Sequence, residues 1–196
     1  MSKKLFLLCA LLILAHWSFG QFALDEFNQQ RLHLNKNGML VLGSWALANL
    51  ISSPILASQT SGSARSFHQM NGYWNSVNLA LAGIGYFNAV KGEAFGLTLA
   101  ETILEQQSIE KILLFNAGLD LAYITGGFFL KERAKNVTTN SDRLKGFGNS
   151  LILQGAFLFA FDLAFYFVHK SHAGFLFENL DSLAVHPNGV GLIWRF

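Results

Sequence analysis

Long apolar runs separated by shorter polar stretches dominate the pattern of hydrophobic and polar positions along the chain. Four such runs lie at about 38–57, 72–90, 109–130 and 146–168. A hydrocarbon core needs about 20 residues of α-helix, and helices are required because lipid cannot satisfy open backbone groups. A soluble four-helix bundle would need polar faces at a 3.6-residue period, and the third and fourth runs are apolar nearly all round. The pattern predicts an all-α polytopic membrane protein with a transmembrane domain at 38–168.

Composition supports this interpretation. Hydrophobic residues make up 52% of the chain, charged residues make up 13%, and the mean hydropathy is +0.34. Soluble domains carry about 25% charged residues. The net charge of +2 is too small to indicate nucleic-acid binding. We expect the lipid bilayer as the main partner and leave open a second copy of the chain or another membrane protein.

The N-terminus has the three-part pattern of a secretory signal peptide. Lys3 and Lys4 precede the apolar run 5–15, and Ser18-Phe19-Gly20 then offers small residues at a cleavage site before Gln21. We therefore predict a signal peptide at 1–20, with an uncleaved anchor helix as the alternative. The single cysteine, Cys9, falls inside this segment, so a cleaved chain would have no disulfide, thiolate metal site or cysteine nucleophile.

The polar stretches between the runs complete the predicted topology. We expect Pro54 to kink or end the first membrane helix. Before the first run we predict an outward-facing amphipathic lead-in at 21–37. Between the runs we predict loops at 58–71 and 131–145 and a short interfacial helix within 91–111. The tail at 169–196 is predicted to face outward and to end in a short extended segment that contains Trp194 and Phe196.

Orientation follows from the placement of lysine and arginine. The short loops 58–71 and 131–145 are rich in basic residues, whereas the opposite side spreads its basic residues over far more chain. The positive-inside rule predicts that these two loops are cytoplasmic and that both mature termini face outward. The predicted location is the bacterial inner (cytoplasmic) membrane.

A sequence echo suggests an internal duplication. The signature Gly72-Tyr-x-Asn75-Ser76-Val77 returns as Gly146-Phe-x-Asn149-Ser150-Leu151. The first and third runs align more weakly. Two parallel copies of a helical hairpin would be related by a pseudo-two-fold axis along the membrane normal. Chance similarity between apolar helices is the alternative.

Two aspartates lie inside predicted membrane helices. Asp120 and Asp162 occur in matching phrases, each with small residues two positions before and after. The small residues continue at four-residue spacing as Gly118, Ala122 and Gly126, and as Ala156, Ala160 and Ala164. We expect these two ridges to pack against neighbouring helices, with each aspartate on the opposite side of its helix.

The four runs contain one lysine, Lys111 at the start of the third run, and no arginine, so the aspartates have no obvious cationic partner near them. A charged aspartate at the bilayer centre costs several kcal/mol. One interpretation is a proton- or cation-responsive polar pocket, and the other is a pair of protonated or hydrogen-bonded side chains that hold helices together. The candidate intramembrane partners are Asn49, Asn75, Asn78, Asn116, Tyr123 and Gln154.

Candidates at the membrane interface carry less chemical information. His68, Tyr73 and Trp74 are expected near the headgroups. His169 and His172 lie three residues apart beyond the fourth run and are weak metal candidates, although we assign no metal. We find no phosphate loop or catalytic motif, so no catalytic residue is assigned and the cofactor is unknown.

Several phrases resemble a family of uncharacterised four-helix integral membrane proteins of bacteria, mainly Bacteroidetes. They are LNKNGMLVLGSW (34–45), FHQMN (67–71), Trp74-Asn75 and Val77-Asn78-Leu79. The resemblance is clearest over 31–90. It implies a topology and transfers no activity.

Three hypotheses of function remain. The first is a non-enzymatic scaffold, accessory or binding subunit with a small polar interior. The second is an oligomeric proton- or cation-coupled transporter or channel component that uses Asp120 and Asp162. The third is a membrane enzyme that acts on lipid or quinone. An enzyme is the less favoured class, although membrane enzymes often lack recognisable catalytic motifs.

Overall fold

Four long helices make up nearly all of the chain that the structure describes. The computed structural model describes residues 3–181, 183–186 and 189–192, with side-chain positions for 21–174 and Leu176. The helices are α1 (Lys3–Gln59), α2 (Gly62–Lys91), α3 (Leu99–Lys135) and α4 (Ser141–Asp181). Strands β1 (Leu183–His186) and β2 (Gly189–Leu192) form an antiparallel hairpin after them. The all-α prediction is confirmed, and Trp194 and Phe196 lie outside the described residues.

The helices pack as two antiparallel hairpins with α2 and α4 at the centre. A Cβ added at Gly72 of α2 would lie 3.4 Å from Cβ of Ser53 in α1, and one at Gly85 would meet Met39, so the two helices run in opposite directions. Gly127 of α3 and Gly148 of α4 face each other in the same way. The helix α2 also packs against α4. Two parallel copies of a hairpin would pack like this, although the duplication itself stays a prediction.

Many large apolar side chains are exposed on the surface of the bundle, and its interior holds many polar side chains. Phe87, Phe115 and Phe167 are each more than 60% exposed. Beside apolar residues such as Leu42 and Leu158, buried positions hold polar side chains, which include Asn28, Arg31, Asn71, Asn75, Asn78, Gln106, Asp120, Ser150, Gln154, Asp162 and His169. Water would penalise this distribution, and lipid would favour it.

Three helices are long and apolar enough to cross a membrane. They are α1 over Gln21–Gln59, α3 over its full length and α4 over Ser141–Gly174. The prediction of four such helices is confirmed for these three. The helix α2 does not reach the same hydropathy, because its buried face carries Asn71, Asn75 and Asn78.

The connections are shorter than the sequence suggested. The predicted loop 58–71 is wrong, because α1 runs to Gln59 and α2 starts at Gly62, whose φ of 57° makes the turn. The predicted loop 131–145 shortens to 136–140. Polar side chains in these stretches are helical because the helices extend beyond their apolar parts.

Several other predicted boundaries fall inside longer helices. The lead-in 21–37 is part of α1, and α1 continues through Pro54 for five more residues instead of ending there. The helix α3 starts at Leu99, so 99–111 is its first part and not a separate interfacial helix. Thr98 and Glu101 start it with a capping box. Residues 169–181, assigned to the tail, are the last turns of α4.

Candidate functional site

Asp120 of α3 and Asp162 of α4 line one cavity in the middle of the bundle. The cavity has a volume of about 230 Å³. All four helices contribute to its wall, which consists of Leu42, Trp74, Val77, Asn78, Leu81, Asn116, Leu119, Asp120, Tyr123, Leu158, Phe161 and Asp162. Of the predicted intramembrane candidates, five thus lie together: the two aspartates, Asn78, Asn116 and Tyr123.

The two carboxyl groups are buried neighbours. Asp120 is 3% exposed and Asp162 is 6% exposed, and both side chains line the same cavity. The Oδ2 atom of Asp120 is buried without a hydrogen-bond partner. No lysine or arginine lines the cavity. The arrangement therefore offers negative charge to a space that contains no protein cation.

Aromatic rings form part of the cavity wall. Trp74 and Tyr123 meet edge to face, with ring centroids 4.7 Å apart, and the buried indole Nε1 of Trp74 has no hydrogen-bond partner. Tyr73 is 63% exposed. The sequence grouped Trp74 with Tyr73 at the headgroups, but adjacent helical residues point about 100° apart, so only Tyr73 faces outward. His68 is also helical, and its ring contacts Phe67 edge to face.

A hydrogen-bonded group, here called the Asn71 network, lies beside the cavity. It consists of Trp45, Asn49, Asn71, Ser150 and Gln154. Asn71 Oδ1 accepts hydrogen bonds from Ser150 Oγ at 2.5 Å and from Gln154 Nε2 at 3.1 Å. Trp45 Nε1 donates to Gln154 Oε1 at 2.9 Å, and Gln154 Nε2 also reaches Asn49 Oδ1 at 3.4 Å. Three helices are joined by this network.

The network separates Gln154 and Asn75 from the aspartates. Gln154 uses both polar atoms within the network, and Asn75 Nδ2 donates to the backbone carbonyl of Asn71 at 2.9 Å. Asn78 Nδ2 lies 3.4 Å from Asn75 Oδ1 and so connects the network to the cavity. The sequence assigned Asn71 to a loop and missed its role. Its position one helical turn before Asn75 was the sequence feature that could have indicated this role.

Comparison with known families gives one match. Residues 41–163, more than half of the chain, match the model of a family of unknown function, DUF6992. The chain belongs to the DUF6992 family. No curated protein and no solved structure matches it. The resemblance to a family without a known activity is confirmed, and the DUF6992 match covers both aspartates and the Asn71 network.

The predicted small-residue ridges in the DUF6992 region do not pack between helices. A Cβ added at Gly118 or Gly126 would have nothing within 4 Å, and Ala156, Ala160 and Ala164 are exposed. The reason is that the aspartates face inward, so the opposite sides of α3 and α4 face outward. The close contacts lie instead at Gly127, Gly148 and Gly155 between α3 and α4, and at Gly146 of α4, which meets α2.

The weak metal candidates, His169 and His172, lie beyond the DUF6992 match. They belong to a largely buried group, here called the Arg31 layer, which consists of Asn28, Arg31, Thr102, Gln106, His169 and His172. Both ring nitrogens of the buried His169 are without hydrogen-bond partners. His172 stacks on Phe27 and donates from Nε2 to its backbone carbonyl at 3.1 Å. Among the residues searched, the structure brings together no three metal-ligating side chains. The layer joins α1, α3 and α4.

Proposed function

We propose that this chain is a non-enzymatic integral membrane protein that binds a proton or a cation at Asp120 and Asp162. The observation that carries the proposal is the shared cavity. Two carboxyl groups from different helices meet there, and no lysine or arginine lines it. A charged carboxylate at the bilayer centre is costly. The pair therefore favours a bound proton or a bound cation over two free negative charges.

The packing of α2 supports four membrane crossings. An antiparallel partner that packs along the apolar part of α1 has to follow it through the bilayer. Three of the four asparagines of α2, Asn71, Asn75 and Asn78, point inward, where they hydrogen-bond to the Asn71 network or to each other. Lipid therefore does not meet these polar groups.

The orientation and location belong to the same proposal. Basic residues lie on both sides of the connection 136–140, namely Lys131, Arg133, Lys135, Arg143 and Lys145. We place this connection and residues 60–61 in the cytoplasm, in agreement with the positive-inside rule. The membrane is then the inner membrane of a bacterium, and residues 1–20 act as a signal peptide.

Cation-coupled transport by an oligomer is the second candidate. One observation favours it: the inward face of α4 carries Ser150, Gln154, Asp162 and His169, so buried polar groups lie on both sides of the cavity. In transporters, chains of polar and ionisable side chains mark ion pathways. A proton or cation flux into proteoliposomes that Asp162→Asn abolishes would support transport. Binding without flux would leave the first candidate.

Infrared spectroscopy tests the carboxyl pair directly. We expect the full chain in lipid nanodiscs at neutral pH to show the carbonyl band of a protonated carboxyl group. The band should be lost in the double variant Asp120→Asn/Asp162→Asn. Asp142, exposed in the first turn of α4, provides the control, and Asp142→Asn should keep the band. A wild-type spectrum without a protonated carboxyl, and with no change on titration, would refute the proposal.

A further inference from the structure

The cavity around the carboxyl pair opens sideways, between α2 and α3. Among the described residues, no Cα atom of α2 lies within 8 Å of a Cα atom of α3, and Trp74 and Tyr123 bridge the gap with their rings. The rim is apolar and faces outward, because Val77 is 59%, Leu81 55% and Leu119 37% exposed. If the helices cross a bilayer, this opening faces lipid. A ligand that enters here has to be soluble in lipid.

The wall has two kinds of surface. Asp120 and Asp162 offer carboxyl oxygens, and one of these, the buried Oδ2 of Asp120, has no partner. The rest of the wall is mainly aliphatic and aromatic, with Trp74, Tyr123 and Phe161 as its rings. Aromatic faces attract cations. A molecule with a cationic head and an apolar body would match both surfaces.

The size of the cavity argues against a bare metal ion. About 230 Å³ corresponds to the volume of roughly eight water molecules. A dehydrated ion would fill little of this volume. The wall does supply side-chain oxygens, from Asn78, Asn116, Tyr123 and the two aspartates, but most of its residues are aliphatic or aromatic and would face a bare ion with apolar groups. The space is also below the roughly 300 Å³ at which pockets for drug-sized ligands begin, so the ligand is small.

We propose that the cavity binds a small, lipid-soluble organic amine. Its ammonium group lies against Asp120 and Asp162, and its apolar body lies against the rings of Trp74 and Tyr123 and the surrounding leucines. This inference rests on the proposed function, because it names the chemical class of the cation that the carboxyl pair binds.

Benzylammonium and benzyl alcohol form a matched pair of probes, because they share shape and differ in charge. Their binding is measured by calorimetry on the full chain in nanodiscs, and empty nanodiscs of the same lipid correct for partition. We expect saturable binding of benzylammonium and at least about tenfold weaker binding of benzyl alcohol, because only the ammonium group can neutralise the charge of the buried carboxylate. The benzylammonium affinity should fall as the pH is lowered, because protons compete for the same oxygens.

Variants locate the site. Asp120→Asn/Asp162→Asn should weaken benzylammonium binding at least about tenfold, whereas the exposed control Asp142→Asn should leave it unchanged. Measurements on the wild-type protein alone can also overturn the inference. They would do so if the amine and the alcohol bound with equal affinity, or if the affinity for the amine did not depend on pH. No saturable binding of benzylammonium by a chain whose infrared band shows a protonated carboxyl pair would also overturn it, and the proposed function would then stand without it.

Discussion

At the scale of single residues, hydrogen bonding separates the buried polar side chains into two kinds. Asn71 and Gln154 have partners on neighbouring helices. Gln154 Nε2 donates to Asn71 Oδ1 at 3.1 Å, and Gln154 Oε1 accepts from Trp45 Nε1 at 2.9 Å. Asp120 Oδ2 has none, although Asp120 is equally well buried. A satisfied amide holds helices together, whereas an unsatisfied carboxyl oxygen beside a cavity is ready for a ligand.

Two serines provide a matched test of the Asn71 network. Ser150 Oγ donates to Asn71 on another helix, and Ser76 Oγ donates only to the carbonyl of Gly72 one turn earlier in its own helix. We expect Ser150→Ala to lower the free energy of unfolding by about 0.6 kcal/mol, and at most about 1.7, as measured for interhelical hydrogen bonds in membranes. Ser76→Ala should change it little. Unfolding in mixed micelles measures both, and equal effects would contradict a network that joins helices.

The sequence was sufficient to select the aspartates but not to place them together. A carboxyl group in an apolar run identifies itself, because its cost in lipid is large. That Asp120 and Asp162 share a cavity depends on the rotation and crossing of α3 and α4, which side-chain packing decides. Trp74 was misplaced for the same reason, since a tryptophan near a helix end suits the headgroups as well as a cavity wall.

At the scale of helices, glycine positions decide where α3 and α4 approach each other. A Cβ at Gly127 would lie 2.6 Å from the backbone oxygen of Gly148, and the reverse distance is also 2.6 Å. Gly118 occupies the opposite side of α3 and meets nothing within 4 Å. The sequence contains both sets of small residues, and the spacing within one helix cannot say which set faces the partner.

The pair Gly127→Val and Gly118→Val separates the two faces of α3. Gly127→Val should force the helices apart and destabilise the fold by about 1–3 kcal/mol or more, as overpacking does. Gly118→Val should leave the unfolding temperature near that of the wild type. Thermal unfolding followed by circular dichroism measures the difference. A larger loss for Gly118→Val would mean that α3 presents its other face to α4.

The start of α3 gives a pH-dependent prediction. At 37 residues α3 is about 55 Å long, so its first turn projects beyond a hydrocarbon core about 30 Å thick. There Thr98 N–H donates to the Glu101 carboxylate at 2.8 Å, and this bond, with the one from the Thr98 hydroxyl, lowers the pKa of Glu101. A lowered pKa in the folded state stabilises the fold above the unfolded pKa, and this contribution is lost as pH falls through the folded pKa.

Thr98→Ala removes the capping box and should cost about 1 kcal/mol at neutral pH. The difference from the wild type should shrink as Glu101 becomes protonated in acid. Unfolding temperatures over the acidic range measure this, with Glu101→Gln as the control that removes the titration. A difference that grows toward low pH would contradict the assignment of the cap.

At the scale of the whole molecule, the fold is two helical hairpins with many exposed apolar side chains and many buried polar ones. The helical class and three helices long and apolar enough to cross a membrane could be predicted because long apolar runs have few alternatives. The ends of the helices could not be predicted, because polar residues such as Arg65 and His68 are as compatible with a helix outside the lipid as with a loop. The hydropathy of α2 alone also does not identify it as a helix of the bundle, because its buried asparagines acquire hydrogen-bond partners only when the helices pack together.

Cysteine labelling tests this topology. In a Cys9→Ser background, Ser61→Cys and Thr139→Cys introduce exposed thiols into the connections at 60–61 and 136–140, and Glu93→Cys introduces one into the connection between α2 and α3. A membrane-impermeant thiol reagent added to intact bacterial spheroplasts should label only Glu93→Cys. Permeabilised cells should label all three. Labelling of Ser61→Cys and Glu93→Cys from the same side would contradict four crossings.

The central claim is that Asp120 and Asp162 share a cation site. The most direct test introduces an ammonium group into the cavity by substitution. Asp162→Lys places a cation beside Asp120, and its stability is compared with that of Asp162→Lys/Asp120→Asn. We expect the loss of the Asp120 charge to cost about 3 kcal/mol or more in the lysine background, because an unpaired charge is then left inside the bundle. The same Asp120→Asn change with Asp162 intact should cost far less. If Asp120→Asn has the same effect on the free energy of unfolding in both backgrounds, the two carboxyl groups do not share a cation site.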